Sequence, residues 1–286
     1  MDFEILDKKR KLCVWLTISG IVVFIIALIL IVSLPEKAGI LSIILMIIGV
    51  GVFIAGRIKF VSLKKVFKTK HLKPYIEKKY PTYKYEPKQG LSREFVNSLG
   101  MYKTPDRFRS EDMLLGTFKD VKFTSSDVVL EERRVRHTKN GTQVYYVPYF
   151  TGRIFAFDFN KKIVGKVLVS EGHKTTFFNK LSKVSLESID FNKQFNTYAT
   201  DQESAFYILT PQFMEALLKI ERNNPGSITM LFTEGKYYIG INSNRDTFEL
   251  SLWHKVNEET VKSFIKDLTI FEEIVDELKI DRKIFN

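Results

Sequence analysis

Two apolar runs joined by four residues constrain this chain more than any other feature. Leu12–Leu34 holds 23 residues without a charge, Gly39–Gly56 holds 18 more, and only Pro35-Glu36-Lys37-Ala38 lies between them. A bilayer core of roughly 30 Å takes about 20 apolar helical residues to cross. In hydrocarbon every backbone N–H and C=O must be paired inside the segment, and a helix does this unaided. Residues 12–58 therefore read as a transmembrane helical hairpin. The first run exceeds the apolar core of about 7–15 residues found in a secretory leader, and the second follows at once, so the pair reads as membrane segments. Neither run carries an acid, a base or a histidine, which argues against a transporter or channel.

Charge places the flanks. The chain carries a formal +11. Nine Lys and Arg stand against Glu77 in residues 57–79, a net of +8, and residues 1–11 add +1, which leaves only +2 for residues 80–286. The basic character is a collar beside the membrane, not a property of the folded part, and this argues against a nucleic-acid partner. Basic residues close to membrane helices stay cytoplasmic. Both flanks are basic, so the expected location is the cell membrane, with two helices and both termini cytoplasmic. The single cysteine, Cys13, permits no intramolecular disulfide and fits a reducing compartment.

Four segments follow: an arm over 1–11, the hairpin over 12–58, a basic juxtamembrane helix over 59–80 and one domain over 81–286. Within the hairpin, Gly51 and Ala55 have the four-residue spacing of small residues that lets helices approach closely, with the first helix as the natural partner. In the juxtamembrane stretch Phe60, Leu63 and Phe67 form an apolar stripe between basic residues. Arg57, Lys59, Lys64, Lys65, Lys68, Lys70 and Lys73 are the candidate membrane-surface residues. Two readings stand open here: the stripe lies on anionic lipid, or it packs against the protein. Pro74 is expected to end the helix, with an extended connector past Pro81 and Pro87.

From Gly90 the pattern is mixed. Ser92 caps a short helix over Arg93–Leu99. Strands are expected at Met113–Phe123, Asp127–Arg136, Gln143–Phe150, Arg153–Phe159 and Ile163–Val169. Asn140-Gly141 supplies a tight turn, and Arg133, Arg134 and Arg136 lie on one arm of that hairpin. Leu186–Phe195 reads as a short helix or turn. Thr210-Pro211 starts a helix to about Ile220, a capping hydroxyl followed by proline at the first helical position. Ser227–Phe232 and Tyr237–Asn242 flank Glu234-Gly235 as a hairpin, Phe248–Trp253 reads as a further strand, and Asn257 caps a long amphipathic helix over Glu258–Lys279. Strands and helices without regular alternation give an α+β class: a membrane hairpin, then a mainly antiparallel sheet with flanking helices and a long C-terminal amphipathic helix.

Three stretches resemble a known family. They are Phe108-Arg109-Ser110-Glu111-Asp112-Met113-Leu114-Leu115-Gly116, the run from Tyr149 to Lys161, and Leu186–Phe195 with Thr197–Asp201 leading into Tyr207-Ile208-Leu209-Thr210-Pro211. Together they resemble the bacterial family named domain of unknown function 3137. That resemblance implies two N-terminal membrane helices and a cytoplasmic domain, and no reaction. It also implies an acid and an arginine where this chain has Ser204 and Phe206.

Little in the chain reads as chemistry. His71, His137, His173 and His254 are too far apart for paired metal ligands, and no phosphate-binding glycine loop or nucleophile elbow is present. No metal and no cofactor are expected. The carboxylates Glu111, Asp112, Asp158 and Asp201 are the candidates for a cleft, although each suits a turn, cap or strand edge equally well. Phe155, Phe157 and Phe159 share one strand face and read as core. The reading that results is a membrane-anchored cytoplasmic binding or scaffold module of unknown ligand, with the membrane and a protein as partners and the oligomeric state open. The alternatives are an enzyme using those carboxylates at the inner membrane face and a sensor of anionic lipid.

Overall fold

Two long helices open the computed structural model, α1 (Phe3–Ser33) and α2 (Pro35–Val66). The structure describes residues 3–33, 35–139, 141–158, 165–172, 181–224, 226–233, 235–245 and 248–278. Both helices are long and apolar enough to span a membrane, with mean hydropathies of 2.9 and 2.6 over their apolar windows. Pro35 starts α2 rather than lying in a turn, a first-turn position that suits its missing N–H.

The helices touch along a seam that repeats every seven residues. Leu6, Cys13, Gly20 and Ala27 are buried on α1, as are Ser42, Gly49, Gly56 and Leu63 on α2. A seven-residue period keeps one stripe facing the partner helix. Small residues let the backbones close in: a Cβ on Gly20 would lie 2.5 Å from the Phe53 nitrogen, and one on Gly49 would lie 2.8 Å from the Phe24 nitrogen. Gly51 and Ala55, the pair expected at this seam, instead face outward, and a Cβ on Gly51 would meet nothing within 4 Å. Gly51 is two positions from Gly49, about 200° around the helix, so the two glycines occupy opposite faces. Away from the seam the surface is greasy, with Ile26, Ile29, Val32, Ile40, Ile47 and Ile58 among the exposed side chains.

Pro74 does not end the helix. α2 passes into a π-helical turn, Phe67–Leu72, and then α3 (Lys73–Lys79). The Lys73 N–H reaches back to the Lys68 carbonyl, five residues away. The widened turn accommodates a residue that has no N–H to donate and whose ring would strike the preceding turn of a regular helix.

The chain divides into two compact units, Met1–Tyr75 with Phe248–Ile265, and Ile76–Thr247 with Lys266–Asn286. The second unit holds an antiparallel sheet of nine strands among the described residues. In chain order these are β1 (Tyr83–Glu86), β2 (Arg107–Phe118), β3 (Val121–Thr138), β4 (Gly141–Asp158), β5 (Lys166–Glu171), β6 (Ser182–Val184), β7 (Phe195–Ala199), β8 (Ser227–Thr233) and β9 (Lys236–Asn242). Their spatial order is β1-β2-β3-β4-β9-β8-β5-β7-β6. The helices of this part are α4 (Arg93–Leu99), α5 (Ile189–Gln194), α6 (Gln202–Ile208) and α7 (Pro211–Asn223), and α8 (Glu258–Leu278) ends in it. The fold is α+β, as the sequence implies.

One sheet face carries Val128, Leu130, Phe150 and Ile154, packed with Leu91 and Val96 at α4. The other carries Phe123, whose ring stacks 3.9 Å from that of Phe271 on α8, and Phe232, edge-on to Phe213 of α7 at 5.7 Å. Burying each such ring contributes about 1.5–3 kcal/mol. Phe155 and Phe157 are core, as expected; Phe159 lies outside the described residues, as do Asn140, Glu234 and Lys279.

Several strand boundaries differ from expectation. Met113–Phe123 is two strands, because Lys119 and Asp120, at φ 47° and 64°, turn the chain without glycine. Gln143–Phe150 and the described part of the second stretch, Arg153–Asp158, fall on one strand, β4, whose Pro148 sits beside a register shift at Leu130/Glu131, where a missing N–H is tolerated. β1, β6, β7 and α6 are not evident in the pattern. Thr210 does cap α7, accepting from the Phe213 N–H at 3.4 Å.

Phe248–Trp253 is not a strand. Phe248, Leu250 and Leu252 are buried alternately, which is the period that reads as a strand. Here it marks a segment of turns and bends buried on one side, with no ladder partner among the described residues.

Candidate functional site

In the first unit the segment from Phe248 to Val256 is clamped to α1 and α2 by polar groups. Arg10 donates from its guanidinium to Asp7 Oδ1 and to the Leu252 carbonyl, each at 2.8 Å. The Val256 N–H donates to Asp7 Oδ1 at 3.2 Å. Asp7 and Arg10 are nearly water-free, at 6% and 8% side-chain exposure. Burial pushes the Asp7 carboxyl up, but the bonds from Arg10 and the Val256 N–H outweigh it and hold the group below its usual range. Opposite, Glu249 pairs with Lys64 and, at 2.8 Å, with Lys68. Its carboxyl is also held down on balance: burial works upward, and the two lysines more than offset it.

These contacts divide the basic collar. Lys64 and Lys68 face Glu249, whereas Arg57, Lys59, Lys65 and Lys70 are exposed and Lys73 is half-buried. The stripe is also resolved: Phe60, Leu63 and Phe67 are buried in protein, with Phe67 edge-on to Phe264 at 6.0 Å. Cys13 is a buried seam residue. A pocket of about 370 Å³ opens beside the clamp, and its acids Glu4, Asp7 and Glu258 balance its bases Lys8, Lys11 and Lys255. Lys8 and Lys11 are already paired with Glu4 and Asp7, at 2.8 and 3.4 Å, so the pocket offers an ion no net charge.

The four candidate carboxylates do not converge. Glu111 and Asp112 sit at the β2 bulge, Asp158 ends β4 and pairs with Lys236, and Asp201 is the N-cap of α6, accepting from the Ser204 N–H at 2.7 Å. β2 and β7 lie six strand spacings apart in the sheet order, about 29 Å at some 4.8 Å per strand. Asp201 also meets the Ser204 hydroxyl at 2.9 Å, while Phe206, the other position where the family resemblance implies a charge, is 47% exposed. Among the described residues no group of three or more His, Cys, Asp or Glu is placed to hold a metal ion; His173 lies outside them.

Asp112 alone enters a polar cluster, inside the sheet unit. The bulge puts it at φ 56°, fully buried, where Tyr85 donates to its carboxylate at 2.5 Å. Arg153 donates to the Asp112 carbonyl at 2.6 Å and to Asp127 Oδ1 at 2.8 Å. Burial, reinforced by Asp112, pushes the Tyr85 hydroxyl far up, so it keeps its proton and acts as a donor. Arg153 and Asp127 are each only 5% exposed. A closed cluster of this kind fixes strand register; it presents no face to a substrate.

The sequence pattern did not single out Asp7, Arg10, Glu249, Tyr85, Asp127 or Arg153. The one signal it carried was compositional, a charged pair at the last turn before an uncharged run and a lone acid among buried apolar residues.

These features define a class: an α+β protein with an apolar helical hairpin and an antiparallel sheet unit. Residues 149–280 match the family described as "Protein of unknown function (DUF3137)", so the resemblance seen in the sequence stands. A search of curated proteins finds no match. A similar solved structure is the crystal structure of the mycobacterial trehalose monomycolate transport factor A, TtfA. It shares 9% identity, covers 72% of this chain and 93% of its own, and superposes with a TM-score of 0.39. At so loose a superposition the role of that protein has no bearing on this one.

Proposed function

We propose that this chain is a membrane-anchored binding or scaffold module, with α1 and α2 spanning the bilayer and both termini in the cytoplasm. The observation that carries this reading is the distribution of burial on the hairpin. Only 17% of each apolar window is buried. A water-soluble protein does not leave two whole helices of Ile, Leu and Val uncovered. The exposed Arg57, Lys59, Lys65 and Lys70 retain the second flank on the cytoplasmic side.

For a partner, the sheet unit offers the ribbon formed by the ends of β3 and β4. Beyond Glu131 and up to Pro148 these strands form a ladder with each other alone among the described residues. The ribbon exposes Val135, Val144 and Tyr145, and no acid occurs between Glu132 and Asp158. Arg133, Arg136 and their neighbours suit a protein partner with an acidic surface. The scattered carboxylates favour this binding role over catalysis.

Single cysteines in a Cys13→Ser background test the orientation. In intact cells an impermeant maleimide should label Gly39→Cys at the hairpin tip, and should reach Lys9→Cys and Ser263→Cys only after lysis. Labelling of Lys9→Cys from outside overturns the reading.

A further inference from the structure

The chain contains two tryptophans, and both are exposed: Trp15 at 71% and Trp253 at 62%. Tryptophan is large and mostly apolar, and leaving its ring in water forgoes a substantial burial energy. Its one hydrogen-bond donor makes the bilayer interface, apolar on one side and wet on the other, its favoured exposed setting. Trp15 lies near one end of the uncharged run that begins at Leu12. Trp253 comes from a distant part of the sequence but belongs to the same compact unit.

The position of Trp253 is fixed from both sides. Leu252 before it is 4% exposed, and its carbonyl accepts from Arg10 at 2.8 Å. Val256 beyond it is 1% exposed, and its N–H donates to Asp7 at 3.2 Å. The Trp253 N–H donates to the Ser251 hydroxyl at 3.2 Å. The backbone carrying the ring is thus held at the level of Asp7 and Arg10 on α1. Arg10 and Trp15 are five residues apart, about 7.5 Å along the helix axis. The headgroup layer on each side of a bilayer is about 5–7 Å deep, so both rings fall within reach of one interface. Lys255, exposed two residues beyond Trp253, and Lys9, exposed on α1, supply cations at that level.

We propose that Trp253 inserts into the headgroup layer of the leaflet entered by α1, making the segment around it a third membrane contact beside the two helices. This inference rests on the reading that α1 and α2 span the bilayer. It deepens that reading, because it places the segment around position 253 at the lipid surface and so brings the start of α8 to the membrane as well.

Two single-tryptophan variants of the full chain separate the inference from its premise. The protein is reconstituted into vesicles of phosphatidylcholine and phosphatidylglycerol. Trp253→Phe leaves Trp15 as reporter of the hairpin, and Trp15→Phe leaves Trp253. The expected result is that lipids brominated near the carbonyls remove most of the emission of both reporters. Lipids brominated near the chain ends should affect Trp253 less, and aqueous iodide should quench it far less than it quenches free tryptophan. Quenching of Trp15 by bromolipid, with Trp253 untouched by lipid and open to iodide, overturns the inference alone and points to an aqueous partner for that ring. Failure of bromolipid to quench either reporter overturns the premise along with it.

Discussion

Arg10 donates to the carbonyl of Leu252 at 2.8 Å across 242 positions of sequence, and its Nε holds Asp7 at the same distance. One side chain thus closes the segment after residue 248 onto the base of the hairpin. Removing it takes the buried counter-charge from Asp7 and leaves the exposed Lys11 at 3.4 Å, a loss of up to about 3–5 kcal/mol in comparable sites. Arg10→Leu should release the segment, and trypsin should then cut after Lys255 much faster than in the native chain. Unchanged cleavage would show that the clamp contributes nothing.

The hairpin seam predicts a sharp difference between neighbouring glycines. Gly49→Leu places a side chain where even a Cβ would lie 2.8 Å from the Phe24 backbone. Overpacking of this kind costs about 1–3 kcal/mol where the backbones can shift at all. Gly51→Leu faces outward and should leave the thermal midpoint of the detergent-solubilised protein unchanged. Equal effects of the two substitutions would contradict the seven-residue seam.

The buried cluster on the sheet separates two magnitudes. Arg153→Leu removes the guanidinium 2.8 Å from the buried Asp127 carboxylate and should destabilise the protein by about 3–5 kcal/mol. Tyr85→Phe removes one hydrogen bond to Asp112 and should cost about 1–3 kcal/mol. Denaturant midpoints of the sheet transition, followed by tyrosine fluorescence, would check the order. An Arg153→Leu variant as stable as the native chain would rule out the structural role.

Glu171 gives a pH dependence with a definite sign. Burial raises its carboxyl to about 7 from an ordinary 4.5, although the Ile228 N–H donates to it. A folded-state pKa above the unfolded one means that the folded chain binds the extra proton between these values. Stability should therefore fall as pH rises from about 4.5 to about 7 and stay lower above that window. Glu171→Gln keeps an acceptor for Ile228 and should abolish the decline, read as thermal midpoint against pH.

Composition and local chemistry made some of this legible. The hairpin was evident because two long uncharged runs, back to back, suit lipid and little else. Thr210-Pro211 marked α7 through a local capping bond. Lys119-Asp120 escaped notice because a tight turn without glycine has no composition signal. The alternation of Phe248, Leu250 and Leu252 was real, but period two records one-sided burial and not pairing. The contacts Arg10–Leu252 and Arg153–Asp127 join residues far apart in sequence, and no spacing rule reports such pairs. Asp201 took the capping role open to any aspartate before a helix, which removed it from the candidate cleft.

The central claim is that α1 and α2 lie in lipid. Membranes from cells producing the full chain, washed in alkaline carbonate, test it most directly. The prediction is that the protein stays with the lipid pellet and leaves it only in detergent. Recovery of folded protein in the aqueous wash, or in the soluble fraction after lysis, would contradict it.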